Sequence, residues 1–273
     1  MKFIYVKDGG NELNKKNKKG KRYKENTKKK EKTNKNLTSN IILILFIILF
    51  IFSSFKIIMW IFNNKANKEI AKEISQAITI NEGNEDLKDK YSVDFPMLKE
   101  RNPDTVGFLK VNGTNIEHIV VKGTDNSYYL KHNFNKENNS AGWIFADYKN
   151  KVDGTDKNLV IYGHNMRDDS MFGSLKNILN DDWYNEEENK YVTFVTENDN
   201  SVYEVFSVYQ VAEEDYYITT DFKDNEFNDF IKTIQSRSKF DFSVYVSEND
   251  NILTLSTCAN NNKYRVVLHA RKL

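Results

Sequence analysis

Cys258 is the only cysteine in this 273-residue chain, and Arg265 follows it by seven residues. A thiolate is a strong nucleophile, and a guanidinium is a permanently charged planar donor suited to a developing oxyanion. Together they suit acyl transfer through a covalent thioester. Such chemistry also needs a base, which need only be near in space. Of the four histidines, His164 ends the apolar run NLVIYGH (158–164) and precedes the polar segment NMRDDS, so it stands where a strand opens into a loop. His118 lies mid-strand in IEHIVV, His132 lies in an Asn-rich loop, and His269 is carried away from the thiol on an outgoing strand. His164 is therefore the leading candidate for the base. The bland alternative for a lone cysteine is a small core side chain.

These residues need a scaffold. Ile252, Thr254 and Ser256 alternate with Leu253, Leu255 and Thr257, the period-2 pattern of a half-buried strand that ends at Cys258. Ala259 to Lys263 reads as a turn. In the next run Arg265, Val267, His269 and Arg271 share one face, and Val266, Leu268 and Ala270 share the other. If the two strands pair, Arg265 and Cys258 lie side by side at a sheet rim. Further strands are expected at 107–111, 115–123, 142–147, 158–164, 190–196 and 201–212, with Asn112-Gly113 as a hairpin turn. Helices are expected at 64–80 (a stripe of Ile70, Ala71, Ile74, Ala77 and Ile78), 95–101, 171–184 and 229–238. Eight short strands with few helices point to a mainly β fold, a closed eight-stranded β-barrel.

Residues 1–40 carry 14 Lys+Arg against 4 Asp+Glu with little apolar content, and are expected to lack regular structure. Ile41 to Phe62 is an apolar run of 22 residues broken by one charge, Lys56. As a helix it would be ~33 Å long, enough to cross a hydrocarbon core. It is too long for a signal-peptide h-region and no small-residue cleavage site comes after it, which favours an uncleaved anchor. The lysines then keep residues 1–40 cytoplasmic, and the chain beyond Phe62 is exported. Residues 63–273 hold 25 Lys+Arg against 35 Asp+Glu, and an acidic exported domain argues against a nucleic-acid partner. Outside the cytoplasm an unpaired cysteine reads as a reactive thiol or an intermolecular bridge. No HxxxH or CxxC spacing suggests a metal, and no GxGxxG or Walker-type loop suggests a nucleotide.

TLSTC (254–258) with Arg265 in YRVVLHAR resembles the signature of the sortases, and Ser256 inside that box resembles class B. YGHNMRDDSMFGSLKNIL (162–179), NPDTVGFLKVNGTNIEHIVV (102–121) and DNSYYLKHNFNKENNSAGWIFAD (125–147) are similar too, and the helix at 229–238 falls where class B members insert one. The resemblance implies a membrane-anchored cysteine transpeptidase, with residues 63–101 as a helical segment packing on a catalytic barrel at 102–273. Cys258 would be the nucleophile at the threonyl carbonyl of a sorting motif, His164 the general acid/base and Arg265 the holder of the substrate carbonyl and oxyanion. Ser256, Thr257 and Tyr216 would contact substrate, although Tyr217 is adjacent. The implied partners are sorting-motif-bearing surface proteins and a peptidoglycan cross-bridge amine. A single-pass anchor, no cofactor and a monomeric state complete the expectation. Three alternatives stay open: a cysteine peptidase resolving the acyl-enzyme with water, pilin-type cross-linking, and a non-catalytic binding barrel.

Overall fold

The computed structural model describes residues 12–81, 87–223, 225–258 and 263–273, with side chains other than those of 12–21, 30–36 and 258. The chain divides into two compact units, Met1–Trp60 and Ile61–Leu273. The first contains most of helix α1 (Glu12–Ile74), whose large apolar side chains between Ile41 and Phe62 are exposed to solvent. By length and composition this helix can cross a membrane. The structure departs from the expectation for the tail, since residues 12–40 continue as helix. Lysine is a good helix former, and a helix already nucleated extends at low cost.

In the second unit, the end of α1 buries Ile70 and Ile74. The stripe was expected to run through Ile78, but the helix stops at Ile74. Ser75–Ala77 form a 3₁₀ turn, and Ile78–Ile80 become strand β1, paired antiparallel with β2 (Tyr91–Val93). Helix α2 (Phe95–Arg101) comes next, capped by the Asp94 carboxylate, which accepts from the Met97 amide at 3.0 Å.

Eight strands close into a barrel: β3 (Thr105–Val111), β4 (Glu117–Val121), β5 (Phe145–Ala146), β6 (Asn158–His164), β7 (Tyr191–Val195), β8 (Asn200–Ala212), β9 (Ile252–Cys258) and β10 (Tyr264–Lys272). Around the barrel they run β10-β8-β7-β3-β4-β5-β6-β9. The β4–β5 and β6–β9 pairs are parallel and the others antiparallel. Two departures concern neighbouring elements. The strand expected at 142–147 shrinks to two residues, because Gly142 turns with φ +57° and the Trp143 backbone N–H goes to the Tyr129 carbonyl at 2.9 Å. The helix expected at 171–184 is a 3₁₀ segment, Gly173–Leu179, and a short α3 (Asp181–Asn185), separated by an extended Asn180. The turn expected from Ala259 lies, up to residue 262, outside the described residues.

The sheet is buried on both faces at β8, β9 and β10. Leu253, Leu255, Val266, Leu268 and Ala270 belong to the main core. On the opposite face Ile252 and Val267 meet helix α4 (Glu226–Ser236), whose Phe227, Phe230, Ile231 and Ile234 are spaced i, i+3, i+4, i+7. This explains His269, which was expected to lead away from the site. It is fully buried under α4, with its ring nitrogens against Tyr209 Oη and Thr254 Oγ1, each at 2.8 Å.

Candidate active site

The parallel register of β6 and β9 decides the site. Asn158 pairs with Ile252, and every following residue pairs in step until His164 meets Cys258 on the last rung. Both strands end together, so the histidine and the cysteine backbone share one rim. On the other side of β9, Val267 of β10 pairs with Ser256. Counting two residues further in the same antiparallel register brings Arg265 level with Cys258. A strand from each side thus delivers one polar residue to the cysteine position.

His164 is nearly enclosed, at 8% exposure. Gly163 before it is required by close approach, since a Cβ there would lie 2.5 Å from the Phe172 ring. The chain then reverses over 165–172, with the amides of Met166 and Phe172 both donating to the His164 carbonyl at 3.0 Å. The imidazole Nε2–H donates to the Leu130 carbonyl at 2.7 Å, and Nδ1 has no hydrogen-bond partner among the described residues. Burial pushes the histidine pKa below its ordinary 6.5, only partly offset by that bond. The ring is therefore a neutral base at pH 7 with one lone pair unused.

A cleft of about 350 Å³ opens on these residues. Leu130, Phe145, Tyr162, Tyr217 and Ile218 make its apolar lining; His164, Ser256, Thr257 and Arg265 its polar end; and Glu213, Glu214 and Asp215 its acidic rim. Arg265, with a side chain 13% exposed, donates from Nη2 to Glu213 Oε1 at 2.6 Å. Sequence reasoning did not anticipate Glu213, because nothing local marks one carboxylate in an acidic stretch as the partner of an arginine 52 residues away. Ser256 and Thr257 line the cleft but both hydroxyls are engaged. Ser256 Oγ bonds Tyr217 Oη at 3.0 Å, and Thr257 Oγ1 accepts the Val266 amide at 2.9 Å.

Tyr216 is placed apart from Ser256 and Thr257. It lies outside the cleft, its hydroxyl on Thr233 Oγ1 of α4 at 3.2 Å and its ring against Phe230. Tyr217 lines the cleft in its place. The segment Tyr216–Ile218 is a 3₁₀ turn, which rotates successive side chains by about 120°, so adjacent tyrosines point to different surroundings. The remaining histidines are elsewhere: His118 stands edge-on to Trp143, and His132 stacks on Tyr128.

The sortase-domain family model matches residues 109–273, which include every residue of this rim. This chain belongs to the sortase family. Sortase B of Listeria monocytogenes serovar 1/2a is 36% identical over 218 residues, covering 79% of this chain and 87% of that protein. Sortase B of Bacillus anthracis, solved in complex with AAEK1, superposes with TM-score 0.68 at 32% identity over 78% of this chain and 99% of that one. A Staphylococcus aureus sortase B–substrate complex gives TM-score 0.66 at 27% identity, covering 78% and 98%. The class B resemblance read from TLSTC and YGHNM stands, and so does the closed barrel. As a sortase the chain is a cysteine transpeptidase of the kind that attaches proteins to the cell wall.

Proposed function

We propose that this sortase is held in the membrane by α1 and cleaves a C-terminal sorting motif of exported proteins at a Thr–X bond. Cys258 Sγ attacks the threonyl carbonyl and displaces the amine of the following residue, leaving a thioacyl-enzyme. His164, neutral at rest, takes the Cys258 thiol proton and delivers it to that leaving amine, then takes a proton from the incoming amine as it attacks the thioester and returns it to the released Cys258 sulfur. Arg265 holds the carbonyl oxygen as it becomes an oxyanion, where a charged, directed donor acts on the transition state. Ser256, Thr257 and Tyr217 shape the wall beside the acyl group. The acceptor is an amine of the peptidoglycan cross-bridge.

The observation carrying this reading is the shared last rung of His164 and Cys258, with Arg265 of the next strand lining the same cleft as His164. The apolar, buried-sided cleft suits an extended peptide. The long apolar stretch of α1 supports the anchor, and the lysines of residues 1–40 support a cytoplasmic N-terminus.

Incubating the full chain in detergent with NPxTN- and LPxTG-type peptides, with and without oligoglycine or diaminopimelate, tests it by mass spectrometry. The expected result is cleavage after threonine, an acyl adduct on Cys258 and a ligated product that needs the amine. Cleavage unaffected by amine, with hydrolysis product alone, would move the reading to a peptidase.

A further inference from the structure

Two loops flank His164. One, residues 128–143, supplies the Leu130 carbonyl. It is laced shut by Asn139 N–H donating to the Lys131 carbonyl at 2.8 Å and Trp143 N–H donating to the Tyr129 carbonyl at 2.9 Å. The Leu130 carbonyl thus lies between two tied peptide units. Gly142 presses this loop against the imidazole: a Cβ there would meet the Tyr129 carbonyl oxygen at 2.4 Å and His164 Cδ2 at 3.0 Å. The other loop is 165–172, in which Asp168 Oδ1 accepts from Ser170 Oγ at 2.6 Å.

One helical turn and a half, Asn63 to Lys68 at the end of α1, grips both. Towards the first loop, Asn67 Nδ2 donates to the Gly142 carbonyl at 3.0 Å, and Asn67 Oδ1 accepts from Asn139 Nδ2 at 2.7 Å. Asn139 Nδ2 also reaches the Asn63 carbonyl at 3.0 Å, and Asn63 Nδ2 donates to Ser140 Oγ at 2.9 Å. Towards the second, Asn64 Nδ2 and Lys68 Nζ both approach Asp168 Oδ2, at 3.3 and 3.4 Å. Asn67 and Asn139 are 3% and 4% exposed. Burying amides costs free energy unless they are bonded, and apolar side chains would dock a helix as well. What the amides add is direction.

We propose that Asn63, Asn64, Asn67 and Lys68 form a positioning clamp for His164, with Asn67 as its central residue. The turn directly after the apolar run 41–62 thereby sets the alignment of the imidazole with the end of β9. Asn67 acts through the Gly142 and Leu130 peptide units and does not itself touch the reacting groups. This rests on the proposed role of His164 as the general acid/base.

The test compares wild type, Asn67→Ala, Asn67→Asp, Lys65→Ala and His164→Ala as full chains in detergent. The substrate is the best peptide of the panel, with triglycine as acceptor, and kcat, KM, the pH dependence of kcat and the melting temperature are read. Misalignment by a fraction of an ångström lowers kcat while leaving binding alone, so Asn67→Ala should lose about tenfold to a hundredfold in kcat with KM little changed. Water admitted beside the loop also relieves the desolvation of His164, so the limb of the pH profile that belongs to it should move up towards 6.5. The ionisable groups that line the cleft with His164 are Tyr162, Glu213, Glu214, Asp215, Tyr217 and Arg265, Cys258 is its backbone partner on β9, and Asp168 lies in the loop that follows it. Asn67→Ala alters none of their charges, so the shift would report hydration and geometry. Asn67→Asp is nearly isosteric and keeps the bond from Asn139 but sets a carboxylate oxygen against the Gly142 carbonyl, so its kcat should fall at least as far as that of Asn67→Ala. Lys65 is exposed and among the described residues pairs with Glu69, on its own helix, so Lys65→Ala should match wild type.

Wild-type kcat and pH profile in a folded Asn67→Ala or Asn67→Asp chain would overturn the clamp while His164→Ala stays inactive. A kcat loss with no pH shift, proportional to unfolded protein, would reduce Asn67 to a structural residue and overturn it too. Normal turnover by His164→Ala would instead overturn the role of the histidine.

Discussion

His164 and Cys258 are Cα partners on the final rung of the parallel β6–β9 ladder. Neighbouring strands lie about 4.8 Å apart, so the two residues are held at one rim by backbone hydrogen bonding and not by a flexible loop. Their geometry should survive side-chain removal. Cys258→Ala should abolish ligation and leave the melting temperature unchanged. His164→Ala should lower turnover on the order of 10²–10⁴-fold. His118→Ala and His132→Ala should turn over normally per folded molecule, and equal losses at His118 and His164 would refute the assignment of the base.

Arg265 and Arg271 lie on one strand with different partners. Arg265 pairs with an exposed carboxylate, Glu213, at the cleft, while Arg271 pairs with Glu204 at 2.7 Å and also donates to the Tyr245 carbonyl. Arg265→Lys keeps the charge but loses the planar fork, and should cost on the order of 10²–10³ in kcat with a smaller change in KM. Arg271→Ala should keep kcat and lose about 1–2 kcal/mol of stability through its broken bonds. Steady-state kinetics beside urea unfolding separates the two, and a crippled Arg271→Ala with a normal Arg265→Ala would reverse the assignment.

Tyr217 and Tyr216 offer a paired test of the cleft wall. Tyr217→Phe removes the hydroxyl that meets Ser256 Oγ and should raise KM for the peptide. Tyr216→Phe removes only a contact to Thr233 at the far side and should be silent. Identical kinetics for both variants would mean that the peptide does not use this wall.

Two buried histidines give pH dependences that are read in different ways. The pKa of His269 is pushed down to about 3, first by burial and then by the Arg237 charge. The unfolded chain takes up that proton near 6.5, so stability is fully present above 6.5 and falls as pH drops from there towards 3. His269→Gln should show a shallower loss of melting temperature between pH 6 and 4. His164, also lowered by burial, should titrate below 6.5 when tracked by NMR in the Cys258→Ala chain. A titration at or above 6.5 would contradict the enclosed, neutral imidazole.

Much of the fold could be read locally. Alternation in 252–258 and 264–271 is a property of single segments, because a strand with one face inward must repeat every two residues. The apolar spacing of Phe230, Ile231 and Ile234 likewise announces a helix before its partner is known, although α4 begins at Glu226, three residues before the expected start. The strand-end positions of Cys258, His164 and Arg265 were legible because TLSTC, YGH and YRVVLHAR each combine a strand pattern with a polar residue at its end. What the sequence could not decide was anything set by where separate segments meet. Residues 12–40 are lysine-rich in either state, and it is the continuing helix that the structure adds. The choice of Tyr217 over Tyr216 depends on the rotation of one 3₁₀ turn. The pairing of Arg265 with Glu213, and the grip of Asn67 on residues more than 70 positions away, depend on the path of the chain around the barrel. Local periodicity is written by each segment's own burial, whereas contacts between distant polar side chains are selected only once closure of the barrel brings their elements together.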